Sequence, residues 1–362
     1  MDFVLSEEQR LIQETARSLL SDAAGMERVR AVIQGDAGWD ASLWNSLTVE
    51  IGFAGLMVPE AYGGSGLGAV EMALALEETG RTLAPIPFFE TAVLAVQAIL
   101  SAGTEAQRER LLPGLASGEI KAAFAGTADR PTLKDGRLTG RARFVTFGHV
   151  ADLLIVATQD DSLVAIPRSA DGVKVERIPN LDQTRPFATI EFDLAVSPDD
   201  ILGTAGGAGP AIARTLAIGS GLLAAEQTGG AQCCLDFTVE YAMQRVQFGR
   251  PIGSFQAVKH HLADMMVLIE ASRSAALYAA AAIDEDDGEL SEACAVAASW
   301  ASDAYRHCSA EAIQLHGGIG FTWEHQAHLY FKRARSTSSW LGSPEAHRKM
   351  LAKIILEETP CP

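Results

Sequence analysis

Three textures follow one another along this chain, and their order predicts its fold class. Helix-spaced apolar residues come first, then short runs broken by turn residues, then long apolar stripes at helix spacing. The prediction is an α+β protein with an N-terminal helical domain (1–128), a small middle antiparallel β domain (129–203) and a C-terminal four-helix bundle (204–362). With 362 residues, 48% of them apolar, the chain has material for a substantial core.

In the first segment, Ser6 and Gln9 have capping-box spacing, and Leu11, Ile12, Ala16, Leu19 and Leu20 follow on one helical face. IGFAGLMVPEAYGGSGLG reads as a loop because of its glycines and Pro59, and AVEMALALEETG as a helix buried on several sides. Thr104 and Gln107 suggest a second capped helix. In the middle segment, Asp135 and Gly136 can turn a hairpin, and DLLIVAT, SLVAIP, GVKVERI and ATIEFDLAV are strand candidates. No long helices separate them, which argues against a doubly wound dinucleotide fold. In the last segment, one stripe runs through Val258, Leu262, Met265, Ile269 and Ala276. A second takes in Ala293, Val296, Ala297, Trp300, Ala301, Ala304 and Cys308, and DEDDGE between the two reads as a solvated connection.

The charge balance is acidic, 46 Asp and Glu against 29 Lys and Arg, for a formal −17. With no surplus of cations to neutralise phosphates, a general nucleic-acid or anionic-membrane binder is not expected, although a local basic pocket remains compatible. The amino terminus lacks the basic and apolar regions of a signal peptide, and no uninterrupted apolar run of membrane-spanning length is visible. The five cysteines form no metal spacing or CxxC pair, which points to a reduced, cytoplasmic chain.

Familiar catalytic signatures are absent: no GxSxG elbow, no phosphate-loop lysine motif, no HExxH. GGSGLG lacks dinucleotide-binding spacing and reads chiefly as a structural loop. His260, His261 and Asp264 lack further ligands for a metal and read as surface or interface groups, while Cys233 and Cys234 point apart on a helix. Two segments carry more information. In YAMQRVQFGRPIGSFQAVKH, Arg245, Arg250 and Lys259 surround a turn between long helices. Arg245 could hold a phosphate with Phe248 covering an adenine or sugar face, or it could form a surface salt bridge. In EAIQLHGGIGFTWEHQ, Gly317, Gly318 and Gly320 allow close backbone approach, with Gln314 one turn earlier. A plain helix-to-helix turn would account for the glycines as well.

Together and in this order, these segments resemble the acyl-CoA dehydrogenases. RVQFGRPIGSFQAVKHHLADM is similar to that family's RxxFGxxIxxFQxxxxxLADM, QLHGGIGFTWEHQAHLYFKRAR to its QxxGGxGxxxExxxxxxxRDAR, and LMVPEAYGGSGLG to its N-terminal glycine-rich segment. The resemblance reaches nearly the whole chain. It implies FAD as cofactor, an acyl-CoA thioester as substrate, a dimer or tetramer, and electron-transfer flavoprotein as electron acceptor. It further implies that Arg245, Phe248, Gln314, Gly317 and Gly318 contact FAD held by a partner subunit. Thr146, in RFVTFGH, matches a threonine near the flavin in the usual KWITNG; Phe144 replaces the tryptophan there, with a place in the strand core as its other reading.

Three departures from the pattern concern the chemistry. In the family a glutamate takes the α-proton. Its usual place, in a sequence like YEGTSEIQ, holds Leu341 of WLGSPEAH, and its alternative place falls near Gly219. Glu345 and Glu226 lie a turn or more away and read better as surface or pairing groups. The middle-domain TEPxAGSD pattern is replaced by FAGTADRPTLKDG. The retained motifs serve a partner's flavin and the lost ones serve the chain's own. The resemblance therefore implies a subunit completing FAD on a homologous catalytic partner, as in dehydrogenases of steroid side-chain thioesters. A self-sufficient enzyme with a displaced base, and a non-enzymatic acyl-CoA-binding or scaffold subunit, are the alternatives.

Overall fold

The computed structural model describes residues 5–286 and 288–358. Met1–Val4 of the amino-terminal reading and Cys361 lie outside the described residues. The chain forms two compact units, one of Met1–Val29, Ala73–Ala84 and Ser220–Pro362, the other of Arg30–Met72 and Pro85–Gly219.

The helices before the sheet are α1 (Glu7–Ala23), α2 (Met26–Gln34), α3 (Ala41–Trp44), α4 (Ala69–Thr82), α5 (Val96–Ala102) and α6 (Glu105–Ala116). Both capping boxes form: Ser6 with Gln9 on α1, and Thr104 with Gln107 on α6. π-helical turns at Asn45–Glu50 and Glu90–Ala95 extend α3 and precede α5. The glycine-rich stretch after the first of them is a loop with 3-10 turns at Phe53–Gly55 and Glu60–Tyr62. A Cβ at Gly64 would collide with the carbonyl of Val58, so this glycine serves the loop's own packing.

Seven strands follow: β1 (Ala122–Ala125), β2 (Thr132–Lys134), β3 (Arg137–Thr146), β4 (Leu153–Ala157), β5 (Leu163–Pro167), β6 (Val173–Ile178) and β7 (Phe187–Ala195). Four of them make an antiparallel sheet in the order β2-β3-β7-β6; the other three make a sheet in the order β1-β4-β5. The β2–β3 hairpin turns at Asp135 and Gly136, both at positive φ (49° and 72°), as a two-residue hairpin of inverted twist demands. Strand structure begins at Ala122 rather than near 129, and β1 pairs with β4 in parallel, so this region is antiparallel with one exception. AAFA is buried throughout and shows no alternation to give it away. The Thr91 hydroxyl on the second π turn accepts from Ala122 N–H (2.9 Å) and donates to its carbonyl (3.2 Å), docking that turn on β1. The core of the sheets is apolar: Leu138, Val145, Leu154, Val156, Val164, Ile166, Ile190 and Phe192.

The remaining elements are α7 (Gly209–Gln244), a short hairpin β8–β9 (Val246–Gln247, Arg250–Pro251), α8 (Gln256–Glu285), α9 (Leu290–His316), a 3-10 turn (Gly317–Phe321), α10 (Ala327–Thr337) and α11 (Pro344–Glu358). These long helices realise the expected bundle. In the unit that holds most of them, α4 and α7 cross where each offers a glycine. A Cβ at Gly80 would strike the Glu226 carbonyl, and one at Gly229 would strike that of Glu77. Below the crossing Glu226 and Arg333 form a buried ion pair at 2.7 Å, and the Gln227 amide donates to Ser302 and Thr337. Most of the second apolar stripe is buried on α9, but Val296 and Trp300 are exposed. Helix α8 tests the hydropathy reading: Glu270 and Arg273 interrupt its apolar residues, so no unbroken run exists there. It is long and apolar enough to cross a membrane by length and composition, with 39% of its apolar window buried. Its alanines, not an unbroken run of large side chains, raise the hydropathy, and it packs beside α9.

Candidate functional site

The segment read as a turn after α7 is a β-hairpin. Arg245 closes the helix by donating its N–H to the Tyr241 carbonyl (2.8 Å), and its own carbonyl accepts from Ile252 N–H (2.8 Å). Between these bonds Gln247 pairs with Arg250, leaving Phe248 and Gly249 as a two-residue turn with φ of 52° and 77°. Both angles suit the inverted turn, but only Gly249 adopts its value without strain. Phe248 is 92% exposed and meets Phe255 edge-on at 6.2 Å. A strained backbone therefore holds a large ring out to solvent, an arrangement that contributes nothing to this chain's own core. The Arg245 side chain is exposed and has no hydrogen bond or ion pair among the described residues, so the salt-bridge alternative is not realised. Arg250 instead lies over the Phe255 ring at 4.1 Å.

The second segment has the same character. Gly317 ends α9 at φ 63° and ψ −143°, a conformation reserved for glycine, and its N–H bonds to the Ile313 and Gln314 carbonyls. A Cβ at Gly317 or Gly318 would meet nothing within 4 Å, whereas Gly320 is packed against His316 and Ile313. Gln314 is exposed and its amide has no partner among the described residues. The first two glycines thus open the backbone outward, and the third serves internal packing.

The hairpin and the glycine turn lie together. The Tyr241 ring stacks on His316 at 4.2 Å, and its hydroxyl donates to the His316 carbonyl at 3.4 Å. Phe237 and His325 complete an aromatic cluster at this junction. Sequence reasoning overlooked these residues; a histidine directly before the glycine pair was the available signal. Around the same two segments the surface is apolar: Met243, Val246 and Phe248 on one, Ile319, Phe321 and Trp323 on the other, are all exposed.

Thr146 lies in the other unit, at the end of β3 opposite Phe187, and is 1% exposed. Its hydroxyl has no hydrogen-bond partner among the described residues, so a donor and two lone pairs remain for a ligand. Phe144 is not a strand core residue. It occupies a bulge between Ala142 and Val145 at φ 58°, is half exposed, and meets Phe187 edge-on at 5.9 Å.

Two known family domains match this chain. Residues 6–119 match the acyl-CoA dehydrogenase N-terminal domain and 207–356 its C-terminal domain. Over 357 residues the chain is 36% identical to the acyl-CoA dehydrogenase IpdE2 of Mycolicibacterium smegmatis, covering 97% of this chain and 100% of that one. This chain belongs to the acyl-CoA dehydrogenase family. The family is one of FAD-dependent oxidoreductases. Among solved structures, the ChsE4–ChsE5 complex from Mycobacterium tuberculosis is similar with a TM-score of 0.90 and 27% identity, over all of both chains. A variant of the Tcur3481–Tcur3483 steroid ACAD is similar with a TM-score of 0.86 and 33% identity, over 97% of this chain and 98% of that one.

The two places where the sequence resemblance puts the proton-abstracting glutamate, Leu341 and the neighbourhood of Gly219, hold no carboxylate. Leu341 sits in the turn before α11, half-buried, and the His347 ring lies against Gly342 of that turn. Glu345 is in the first turn of α11, exposed, 3.8 Å from Arg348. Backbone and Ser343 hydrogen bonds hold its carboxyl below the usual range, as for a helix-terminal anion. Gly219 is buried within α7, and Glu226 is engaged by Arg333 inside the bundle. The altered loop after β1 is likewise occupied internally: Arg130 bonds to the Gly126 carbonyl and Asp161, and Arg143 to Asp129. His261 pairs with Glu311 at 3.0 Å and His260 with Gln256, in keeping with the surface reading.

Proposed function

We propose that this chain is the base-less subunit of a heteromeric acyl-CoA dehydrogenase, completing an FAD site on a homologous partner that supplies the catalytic glutamate. One observation supports the reading: Arg245, Phe248, Gln314, Gly317 and Gly318, which the resemblance assigns to a partner's flavin, are all exposed, while Leu341 and Gly219, where it puts the base, cannot exchange a proton. Two similar structures support it, one a ChsE4–ChsE5 complex and the other a steroid ACAD named Tcur3481–Tcur3483. The reaction is α,β-dehydrogenation of an acyl-CoA thioester of the bulky steroid side-chain class, with electron-transfer flavoprotein as acceptor, in the cytoplasm.

The residues fit the cofactor. A free guanidinium at Arg245 can pair with a diphosphate, the Phe248 ring can cover a flat heterocycle or sugar, and Gly317 and Gly318 leave room for backbone approach. Gln314 offers donors and an acceptor beside them. When bound, FAD supplies hydride acceptance from the β-carbon. In the assembly Arg245 neutralises phosphate charge, and the apolar rim of Met243, Val246, Phe321 and Trp323 excludes water around it. Thr146 would hold its hydroxyl toward whatever ligand lies against β3. The α-proton is taken by the partner, because Leu341 has no group to take it.

Purification of the chain alone and together with a co-expressed homologue tests this. The expected outcome is a mixed assembly holding about one FAD per two unlike chains, reduced by acyl-CoA only when both are present. Full FAD occupancy and substrate reduction by this chain alone would overturn the proposal in favour of a displaced base. An assembly that holds neither FAD nor acyl-CoA would favour a scaffold.

A further inference from the structure

The junction between the hairpin and the glycine turn is built on one buried imidazole. His316 ends α9 and is 4% exposed. Its Nδ1 lies 2.7 Å from the Ala312 carbonyl oxygen, so Nδ1 carries the proton and donates, leaving Nε2 as a lone-pair acceptor. That Nε2 has no hydrogen-bond partner among the described residues. From α7, Tyr241 stacks on the ring at 4.2 Å and Phe237 meets it at 5.5 Å. From the segment after the 3-10 turn, the His325 ring lies at 4.1 Å, its Nδ1 accepting the Ala327 N–H. From α10, Tyr330 reaches Phe237, with its hydroxyl donating to the Arg81 carbonyl. On α9, Glu311 is taken by His261 of α8. No carboxylate therefore faces the imidazole, and burial depresses its basicity against the pull of the Ala312 carbonyl.

We propose that His316 is a positioning residue: a neutral wedge that locks the Arg245–Phe248 hairpin to the Gly317–Gly318 turn, so that both present one surface to the partner. The wedge rests on the reading of these segments as partner-facing. Its action is mechanical. The ring fills the space between the ends of α7 and α9, and the Tyr241 hydroxyl donates to the His316 backbone carbonyl directly before Gly317. A proton on Nε2 would place a cation among Phe237, Tyr241 and His325 with no anion to answer it, and the two segments would come apart.

Three measurements test it, two of them on the full chain without flavin. Nitrogen-15 spectra of histidine-labelled chain should show His316 neutral, protonated on Nδ1 and bare on Nε2. Amide deuterium exchange, corrected for the slower intrinsic exchange at low pH, should show protection at 245–250 and 317–321 falling together as the pH falls, by about tenfold or more. His316→Phe keeps the stack without a titratable nitrogen and should remove that acid step; His316→Ala should loosen both segments at every pH. In the assembly with a partner, FAD loss on acidification should follow the same profile and vanish in His316→Phe. An Nε2–H tautomer, a response in one segment only, or the same acid step in wild type and His316→Phe would overturn the wedge. If exchange behaves as expected while no mixed assembly holds FAD, the wedge stands and the flavin-completing function falls.

Discussion

Arg245 is an unpaired guanidinium in a chain whose formal charge is −17, and it retains that freedom on an exposed hairpin. A charged hydrogen bond contributes roughly 1.5–3 kcal/mol, so Arg245→Ala should weaken FAD retention by about 10- to 100-fold, measured by flavin absorbance on a folded mixed assembly. Unchanged retention would remove this contact. Phe248 makes a second case. Its left-handed backbone costs about 1 kcal/mol or more, so Phe248→Gly should raise the chain's own stability by about that amount in a urea titration. The same change should weaken FAD retention, and a loss of both properties would contradict the strained-tip reading. The motif spacing made these residues visible in the sequence, but not the freedom of Arg245, because dozens of carboxylates could have engaged it in three dimensions. Leu341 was legible as a missing base for the opposite reason: an aliphatic side chain has no protonation chemistry in any fold.

Elements held by local rules were readable ahead of the structure. The Ser6 and Thr104 caps and the Asp135–Gly136 hairpin need only neighbours within a few residues. Elements that depend on distant partners were not. AAFA becomes β1 only because β4 and Thr91 supply its hydrogen bonds, and Val296 and Trp300 share a helical face with buried residues yet face outward. The α4–α7 crossing belongs to the same group, since nothing in GRT or QTGGAQ reveals which glycine meets a carbonyl. Gly80→Ala or Gly229→Ala should each cost about 1–3 kcal/mol, seen as a lower denaturation midpoint. Arg333→Met should cost more, about 3–5 kcal/mol, by leaving Glu226 buried and charged, and adding Glu226→Leu should restore part of it. Full stability in Arg333→Met would mean that Glu226 is not tied up and would reopen its candidacy as a base.

Across the chain, three histidines share one electrostatic state. His149, His316 and His347 are each held below the ordinary imidazole value, with burial the leading cause. The unfolded chain takes up protons near pH 6.5 while the folded chain resists. Their contribution to stability is therefore complete above about pH 6.5 and declines as the pH falls through the lower folded values. Urea midpoints that stay flat from pH 7 to 5 would contradict this. The large arrangement, helices then sheets then helices, was legible because hydrophobic period changes with secondary structure. The division into two units was not, because each draws on segments far apart in sequence. The hairpin tip has a last consequence, for synthesis. A copy on its own exposes Phe248 and Phe321 to water. Under the proposed pairing, overproduction of this chain alone would yield concentration-dependent clumping and exposure to quality-control proteases, and matched output of the two subunits would suppress both.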